Sequence, residues 1–383
     1  MIDVLDTFRP VSDLGADIPC LVVVKRADAG AEFAERQAER ESRPLRDRYL
    51  MPLRDEINLG YVSLTTLRDF SRGEPGSWRT ESLEPHDAIL ENGEVVVAST
   101  GELRILCAAT GRTLRSIQCK HFTNLHSVCP DPCRPGYWLT TNPGGDDLLE
   151  VHRSSGQIVA QWIACEHGFD HGPFEVRIVS PDSRRHLSPQ VQVLDAFEAH
   201  EALAHGRPPG DWVILADPQQ ITHPLGLEKW QRAAEPNWAG YSPDGTRTLV
   251  SFFCSGQVAV IDRTSGEALH RRGGFLWPHG LIPLCDGRFL VTDTGAGHVL
   301  LLGDDLRTLK DYDFSTFSWP PIPKGHEWLQ FTSVLDAGDL FVTVDGRRNC
   351  IHVWSSKERI ITTYPTPPRS VVKLVTPVTA GDR

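Results

Sequence analysis

Asn237-Trp238-Ala239-Gly240-Tyr241-Ser242-Pro243-Asp244-Gly245 opens a stretch that runs on through Leu249-Val-Ser-Phe-Phe253, Cys254-Ser255-Gly256, Val258-Ala-Val-Ile261-Asp262 and Thr264-Ser265-Gly266, and closes at Pro278-His279-Gly280. Pro-Asp-Gly is a tight-turn signature, because proline presets the first turn dihedral and glycine accepts positive φ. The runs 249–253 and 258–261 are β-branched and aromatic, too short for helices and bounded by turns. Four short strands with this punctuation in about 40 residues match one blade of a β-propeller.

The same grammar recurs along the chain. One copy begins at His86 and runs through Asn92-Gly93 and Thr110-Gly111; a second begins at His126 and runs through Gly136 and Ser155-Gly156. Another begins at His279 with Asp286-Gly287 as its first turn, and a last one holds Phe331-Thr-Ser-Val, Ala337-Gly338 and Cys350-Ile-His-Val-Trp. Repetition of turn chemistry in fours favours a propeller over a β-sandwich. The fold expected is all-β: a single propeller over residues 1–383, of six blades, with seven as the alternative count.

Two regions break the pattern. Residues 27–50 are rich in alanine and charge, with Glu35 and Glu39 on adjacent helical turns, and read as a solvated helical excursion. The strand signals on either side of it, Cys20-Leu-Val-Val-Val and Tyr61-Val-Ser-Leu, are expected to complete a blade. Pairing with Val371-Val-Lys-Leu374 would close the ring and protect sheet edges. Residues 166–236 read as a further blade carrying a lid-like insertion, with a helix near 191–204 and a strand at Trp212-Val-Ile-Leu-Ala. Long insertions of this kind commonly cover a functional face.

A net charge of −11 spread along 383 residues argues against nucleic acid or an anionic membrane as the main partner. No apolar run is long enough to span a bilayer, and the start Met1-Ile-Asp-Val-Leu-Asp has no apolar signal core, so a cytoplasmic location is expected. The nine cysteines are scattered and mostly sit in apolar strand runs, as buried reduced thiols do.

In a propeller the innermost strands line an axial channel, so residues that open each repeat face one another. Those openings are Pro85-His86-Asp87, Leu125-His126-Ser127, Asn237-Trp238 and Pro278-His279-Gly280, with Thr222-His223-Pro224 a further candidate. A single histidine at such a place is ordinarily structural. Histidine at several equivalent places suits a divalent metal, zinc or iron, held by His86, His126 and His279 with His223 as a fourth ligand. The competing chemistry has one histidine as nucleophile or general base while the others bind an anionic substrate. His326 and Glu327, in a loop ahead of the last repeat, are candidates for acid and base, and Asn237, Trp238 and Trp328 for contacts to a small-molecule substrate. Walker, dinucleotide-binding, nucleophile-elbow and His-Glu-x-x-His motifs are missing from the sequence.

The repeats, above all Asn92-Gly-Glu-Val-Val-Val-Ala-Ser99 and the Leu125-His126-Ser127-Val128 opening, resemble NHL-type and arylsulfotransferase-like six-bladed propellers over most of residues 85–365. The arylsulfotransferase-like resemblance implies sulfuryl transfer through a central histidine, at His126 or His279. The resemblance to the peptidyl-hydroxyglycine lyase branch implies zinc held by His86, His126 and His279. Both groups are typically secreted or periplasmic, whereas this chain shows neither a signal core nor paired cysteines. The functional expectation is a metal-dependent enzyme of lyase or hydrolase type, or an oxidative one if the metal is iron. A non-catalytic ligand- or protein-binding propeller and a metal-free group transferase are the alternatives.

Overall fold

The computed structural model describes residues 2–4, 7–26, 58–172, 174–207, 212–217, 221, 223, 225–316, 329–335, 340–367 and 370–378. The helical excursion expected over 27–50 and the candidates His326, Glu327 and Trp328 lie outside the described residues.

Six antiparallel sheets form a six-bladed propeller. Blade 1 contains Pro85–Glu91, Glu94–Ser99, Glu102–Cys107 and Thr113–Gln118, from the axis outward. Blade 2 contains Ser127–Pro130, Tyr137–Asn142, Asp147–His152 and Ile158–Ile163, and blade 3 contains Pro236–Tyr241, Arg247–Phe252, Gln257–Asp262 and Ala268–Arg272. Blade 4 begins at Pro278–Pro283 and blade 5 at Leu329–Val334; each gains a fifth, parallel strand outside, Ile2–Val4 on blade 4 and Arg9–Pro10 on blade 5. Blade 6 joins the two ends of the chain. Its innermost strand is Val371–Pro377, hydrogen-bonded to Pro19–Arg26, and Leu59–Thr66 and Trp78–Leu83 complete it outward. The closure expected from the apolar run at 371–374 is thus present.

The period-2 alternation of the second and third strands explains why the blades stack. In blade 3, Val250 and Phe252 face blade 2, packing with Leu139 and Leu148, while Leu249 and Val258 face blade 4, packing with Leu281, Phe289 and Val291. Each of the six blade interfaces holds one such cluster. Every fully buried Val, Leu or Ile contributes about 1.5–3 kcal/mol. Polar groups tie neighbouring blades around the ring: Val128 N–H donates to Asp87 Oδ2 at 2.9 Å, Ala239 N–H to Ser127 Oγ at 3.1 Å and Gly280 N–H to Ser251 Oγ at 3.1 Å.

The turn between third and outermost strands recurs for a physical reason. Gly111, Gly156 and Gly266 all have φ between 68° and 75°, and each N–H bonds back to the carbonyl four residues earlier. Each also abuts the outermost strand of the preceding blade, so a Cβ on Gly111 would lie 2.6 Å from the Trp78 ring. Glycine is required there twice over, by dihedral and by space.

The region 166–236 is not a further blade. Its described strands Ile178–Val179, Gln192–Leu194 and Trp212–Leu215 form a small parallel sheet with Trp212–Leu215 in the middle. Helix Pro181–Arg184 lies between the first two strands and helix Ala196–Ala204 between the second and third. Crossover connections of this sort produce parallel pairing, whereas blade hairpins produce antiparallel pairing. The second helix starts at 196 rather than near 191, because Asp195 caps it and Glu198 returns the bond. The insertion has its own core of Ile178, Leu194, Leu203, Trp212, Ile214 and Trp230. It is fastened to blade 2 by Asp146, whose carboxylate accepts the N–H groups of Ala233, Ala234 and Glu235.

Two outcomes are expected. Removing residues 371–383 leaves blade 6 without its innermost strand and abolishes the cooperative thermal transition seen by circular dichroism; a peptide of residues 367–378 added in trans restores it. Gly111→Ala forces a side chain into left-handed backbone and lowers unfolding free energy by about 2 kcal/mol in urea titration.

Candidate functional site

Bulges place the polar residues of the innermost strands. The ladder skips His86 in blade 1, Asn237 in blade 3, Gln330 in blade 5 and Lys373 in blade 6, and in blade 4 it shifts just after His279. In blade 2, His126 N–H bonds the carbonyl of Thr141, the residue that Ser127 also faces. An extra residue at a bulge is released from strand alternation and can be re-aimed. All six blades therefore carry a polar residue at this level: His86, His126, Asn237, His279, Gln330 and Lys373.

Lys373 and His279 meet. Lys373 Nζ lies 2.9 Å from His279 Nε2, with both side chains buried. His279 Nδ1 is 2.6 Å from Thr294 Oγ1 and 3.3 Å from the carbonyl of Trp277. That carbonyl can only accept, so the proton sits on Nδ1, and the bare Nε2 accepts from the lysine. Phe253 meets the imidazole edge-on at 5.5 Å and stacks on Trp277. Burial, then the Lys373 charge, hold the His279 pKa well below its ordinary value. Burial, helped by the Lys25 charge and opposed by Asp87, pushes Lys373 down from 10.5 to about 7.

The other histidines are arranged differently. His86 and His126 stack face to face, ring centroids 3.8 Å apart and planes 25° from parallel. Among the described residues neither buried ring nitrogen of His126 has a hydrogen-bond partner, and burial drives its pKa well below the usual imidazole range. The charges of Lys25, Lys373 and Arg232, and His279, act in the same direction on His126. Asp87, beside the stack, is raised to about 6 by burial, against the hydrogen bond from Val128 N–H and the pull of Lys373. Lys25 pairs with buried Glu84 at 3.1 Å, and Arg232 is anchored to Glu235 and to the carbonyls of Leu225 and Leu227.

The ligand set expected for zinc or iron is not assembled. Among the described residues, the only three His, Cys, Asp or Glu side chains with ligand atoms within 4.8 Å of one another are Asp345, Cys350 and His352, buried in blade 5. There the Arg348 guanidinium pairs with Asp345, and His352 Nδ1 lies 2.9 Å from Thr363 Oγ1, which is structural pairing. At the axis, His279 spends both nitrogens on Lys373, Thr294 and Trp277. The rings of His86 and His126 are stacked on each other, and His86, His126 and His279 do not bring three ligand atoms within 4.8 Å of one another. His223 is elsewhere: its Nδ1 accepts Leu225 N–H at 3.1 Å, and it lines a cleft of about 410 Å³ with Lys120, Phe122 and Thr123.

Asn237 is a structural tie rather than a free recognition group. Its Nδ2 donates to the Pro278 carbonyl at 2.9 Å and its Oδ1 accepts from Ser251 Oγ at 2.8 Å. Trp238 packs among apolar residues, Ile282 and Phe331 included. Reading histidines alone missed Lys373 and Gln330. The available signal was a single polar residue interrupting an apolar strand, in Val371-Val-Lys373-Leu-Val and in Leu329-Gln330-Phe331.

Fold and axial site together define the chain as a six-bladed β-propeller. No protein-family model matches the sequence, and neither does any curated protein. Solved structures do. A Bacteroides caccae protein of unknown function is 11% identical, with a TM-score of 0.54 over 94% of this chain and 99% of that one. A β-propeller domain from Myceliophteria thermophila is 9% identical, with a TM-score of 0.46 over 83% of this chain and 79% of that one. A streptogramin B lyase is 10% identical, with a TM-score of 0.46 over 80% of each chain. At 11% identity the likeness to the Bacteroides caccae protein is one of fold alone. No helix among the described residues is long and apolar enough to cross a membrane.

The lysine gives the site a pH signature. Between pH 7 and 10.5 the unfolded chain keeps the Lys373 proton while the folded chain releases it, so this group makes stability rise with pH across that window. Lys373→Met removes the contribution. In urea titrations from pH 7 to 9.5 the variant is favoured relative to wild type at the lower end, and the wild type gains on it as pH rises. A difference independent of pH would show that Lys373 titrates normally. Asp87, with its pKa raised to about 6, runs the opposite way, contributing stability at low pH that is lost as pH climbs from 3.8 through 6. The window above pH 7 is therefore clear of it.

Proposed function

We propose that this propeller is an enzyme acting on a small molecule at its axial channel by acid–base chemistry, with His279 and Lys373 as the proton-moving pair. The observation that supports this best is the 2.9 Å contact between two buried groups that are ordinarily cations, His279 Nε2 and Lys373 Nζ. Such a contact is stable only when at most one of them is in its cationic form, which makes the pair an acid and a base near neutral pH. His126, with two ring nitrogens and no partner among the described residues, supplies donor and acceptor capacity for a substrate. Asp87 adds a carboxyl group whose raised pKa lets it hold or release a proton near pH 6.

The reading supports lyase- or hydrolase-type chemistry on a substrate small enough to reach the axis, without a three-histidine metal. Fold analogy contributes nothing to that choice, since propellers host enzymes and inert scaffolds alike. Elemental analysis of untagged protein, wild type and His126→Ala/His279→Ala, tests it together with a thermal-shift screen of small organic acids. The expected result is protein without stoichiometric zinc or iron, stabilised by a subset of acids, with that stabilisation lost in His279→Gln. Stoichiometric zinc or iron that disappears from the folded double variant would overturn the reading. A stabilising acid left chemically unchanged by NMR after long incubation would make the protein a binding propeller instead.

A further inference from the structure

We propose that Lys373 is a covalent centre that forms an imine with a small carbonyl compound, a 2-oxo acid or a short aldehyde, inside the axial channel. This deepens the acid–base reading above and rests on it. Lysine is a poor choice for a purely structural role at the bulge, because a buried amine without a carboxylate partner costs several kcal/mol. Asn237 and Gln330 show that neutral amides occupy equivalent positions in blades 3 and 5. Lys373 is instead bonded to an imidazole nitrogen that can only accept, and Lys25 adds a second positive charge to the same space. Desolvation and a neighbouring cation both favour the neutral, nucleophilic amine. The lowered pKa of Lys373 agrees with that geometry.

The step balances with groups already present. The Nζ lone pair forms the C–N bond while the carbonyl π pair moves to oxygen. His279 Nε2 takes a proton from nitrogen and returns it to that oxygen. The second amine hydrogen leaves with the oxygen as water when the C=N bond forms, and no external oxidant or reductant is needed. His126, whose ring nitrogens have no hydrogen-bond partner among the described residues and which feels the Lys373 charge, would supply a bond to the departing water or to a carboxylate on the substrate.

Borohydride trapping tests the step on the full chain. Pyruvate or glyoxylate is added at pH 7 with sodium borohydride, and alkylated lysines are located by peptide mass spectrometry. Surface lysines, with pKa near 10.4, are internal controls whose neutral fraction at pH 7 is about a thousandfold below unity. Lys373 is expected to label at least about tenfold more than any of them, allowing for its restricted access. Labelling should fall in His279→Gln, a variant whose fold is checked by circular dichroism. Labelling of Lys373 no greater than that of surface lysines overturns the proposal.

A parallel thermal-shift arm uses lactate, which has the carboxylate of pyruvate but no carbonyl. Stabilisation by lactate that is lost in Lys373→Met, without trapping by pyruvate, sinks the imine and leaves the acid–base site standing. Neither trapping nor a Lys373-dependent shift sinks both.

Discussion

The pairing of Val371–Pro377 with Pro19–Arg26 is the constraint on which the rest of the molecule depends. An open ring of blades would leave two faces rich in Val, Leu and Ile without a neighbour, together with unpaired backbone at the innermost edge. Blade 6 prevents this by drawing strands from opposite ends of the chain, so the ring closes only after nearly all of it is in place. Its two faces meet blades 5 and 1 in clusters containing Val22, Val24 and Val375 on one side and Leu21, Val23 and Leu374 on the other. The N-terminal segments then cover the outer edges of blades 4 and 5 as parallel strands.

The same strand decides the chemistry of the axis. Closing the ring carries Lys373 to the level of His279, and the bulge between Val372 and Leu374 frees it from strand alternation. Buried polar groups are tolerated when each finds a partner. Around this ring Asp87, Ser127, Asn237 and Ser251 each bind backbone of a neighbouring blade. His126 differs, since neither of its buried ring nitrogens has a hydrogen-bond partner among the described residues, and Lys373 is bonded to an imidazole, not to a carboxylate. The titratable groups His86, His126, His279 and Lys373 thus sit at one level of the ring, on the innermost strands of four blades or at their entry.

The insertion shows how independent pieces are joined. It folds around its own core, yet its last turn is held by one carboxylate, Asp146, receiving three backbone N–H groups, and by the Arg232–Glu235 pair. Burial raises Asp146 to about 6, against those hydrogen bonds and the Arg232 charge. Arg232 acts on His126 as well, so the anchor of the insertion and the axial site share an electrostatic environment.

Local sequence determined the blades. Turn residues such as Gly111, Gly156 and Gly266, and β-branched runs such as Val95-Val96-Val97, act over a few residues and need no knowledge of distant chain. They also marked His86, His126 and His279 as axial, because a repeat unit fixes which residue opens its inner strand. Tertiary structure decided the rest. Whether three histidines converge on one ion depends on ring rotation and on what the closing strand brings between them, and Lys373, 94 residues from His279, is a contact that no local pattern encodes. The parallel sheet of the insertion was likewise hidden, since strands of two to four residues carry too little periodicity to reveal their partners.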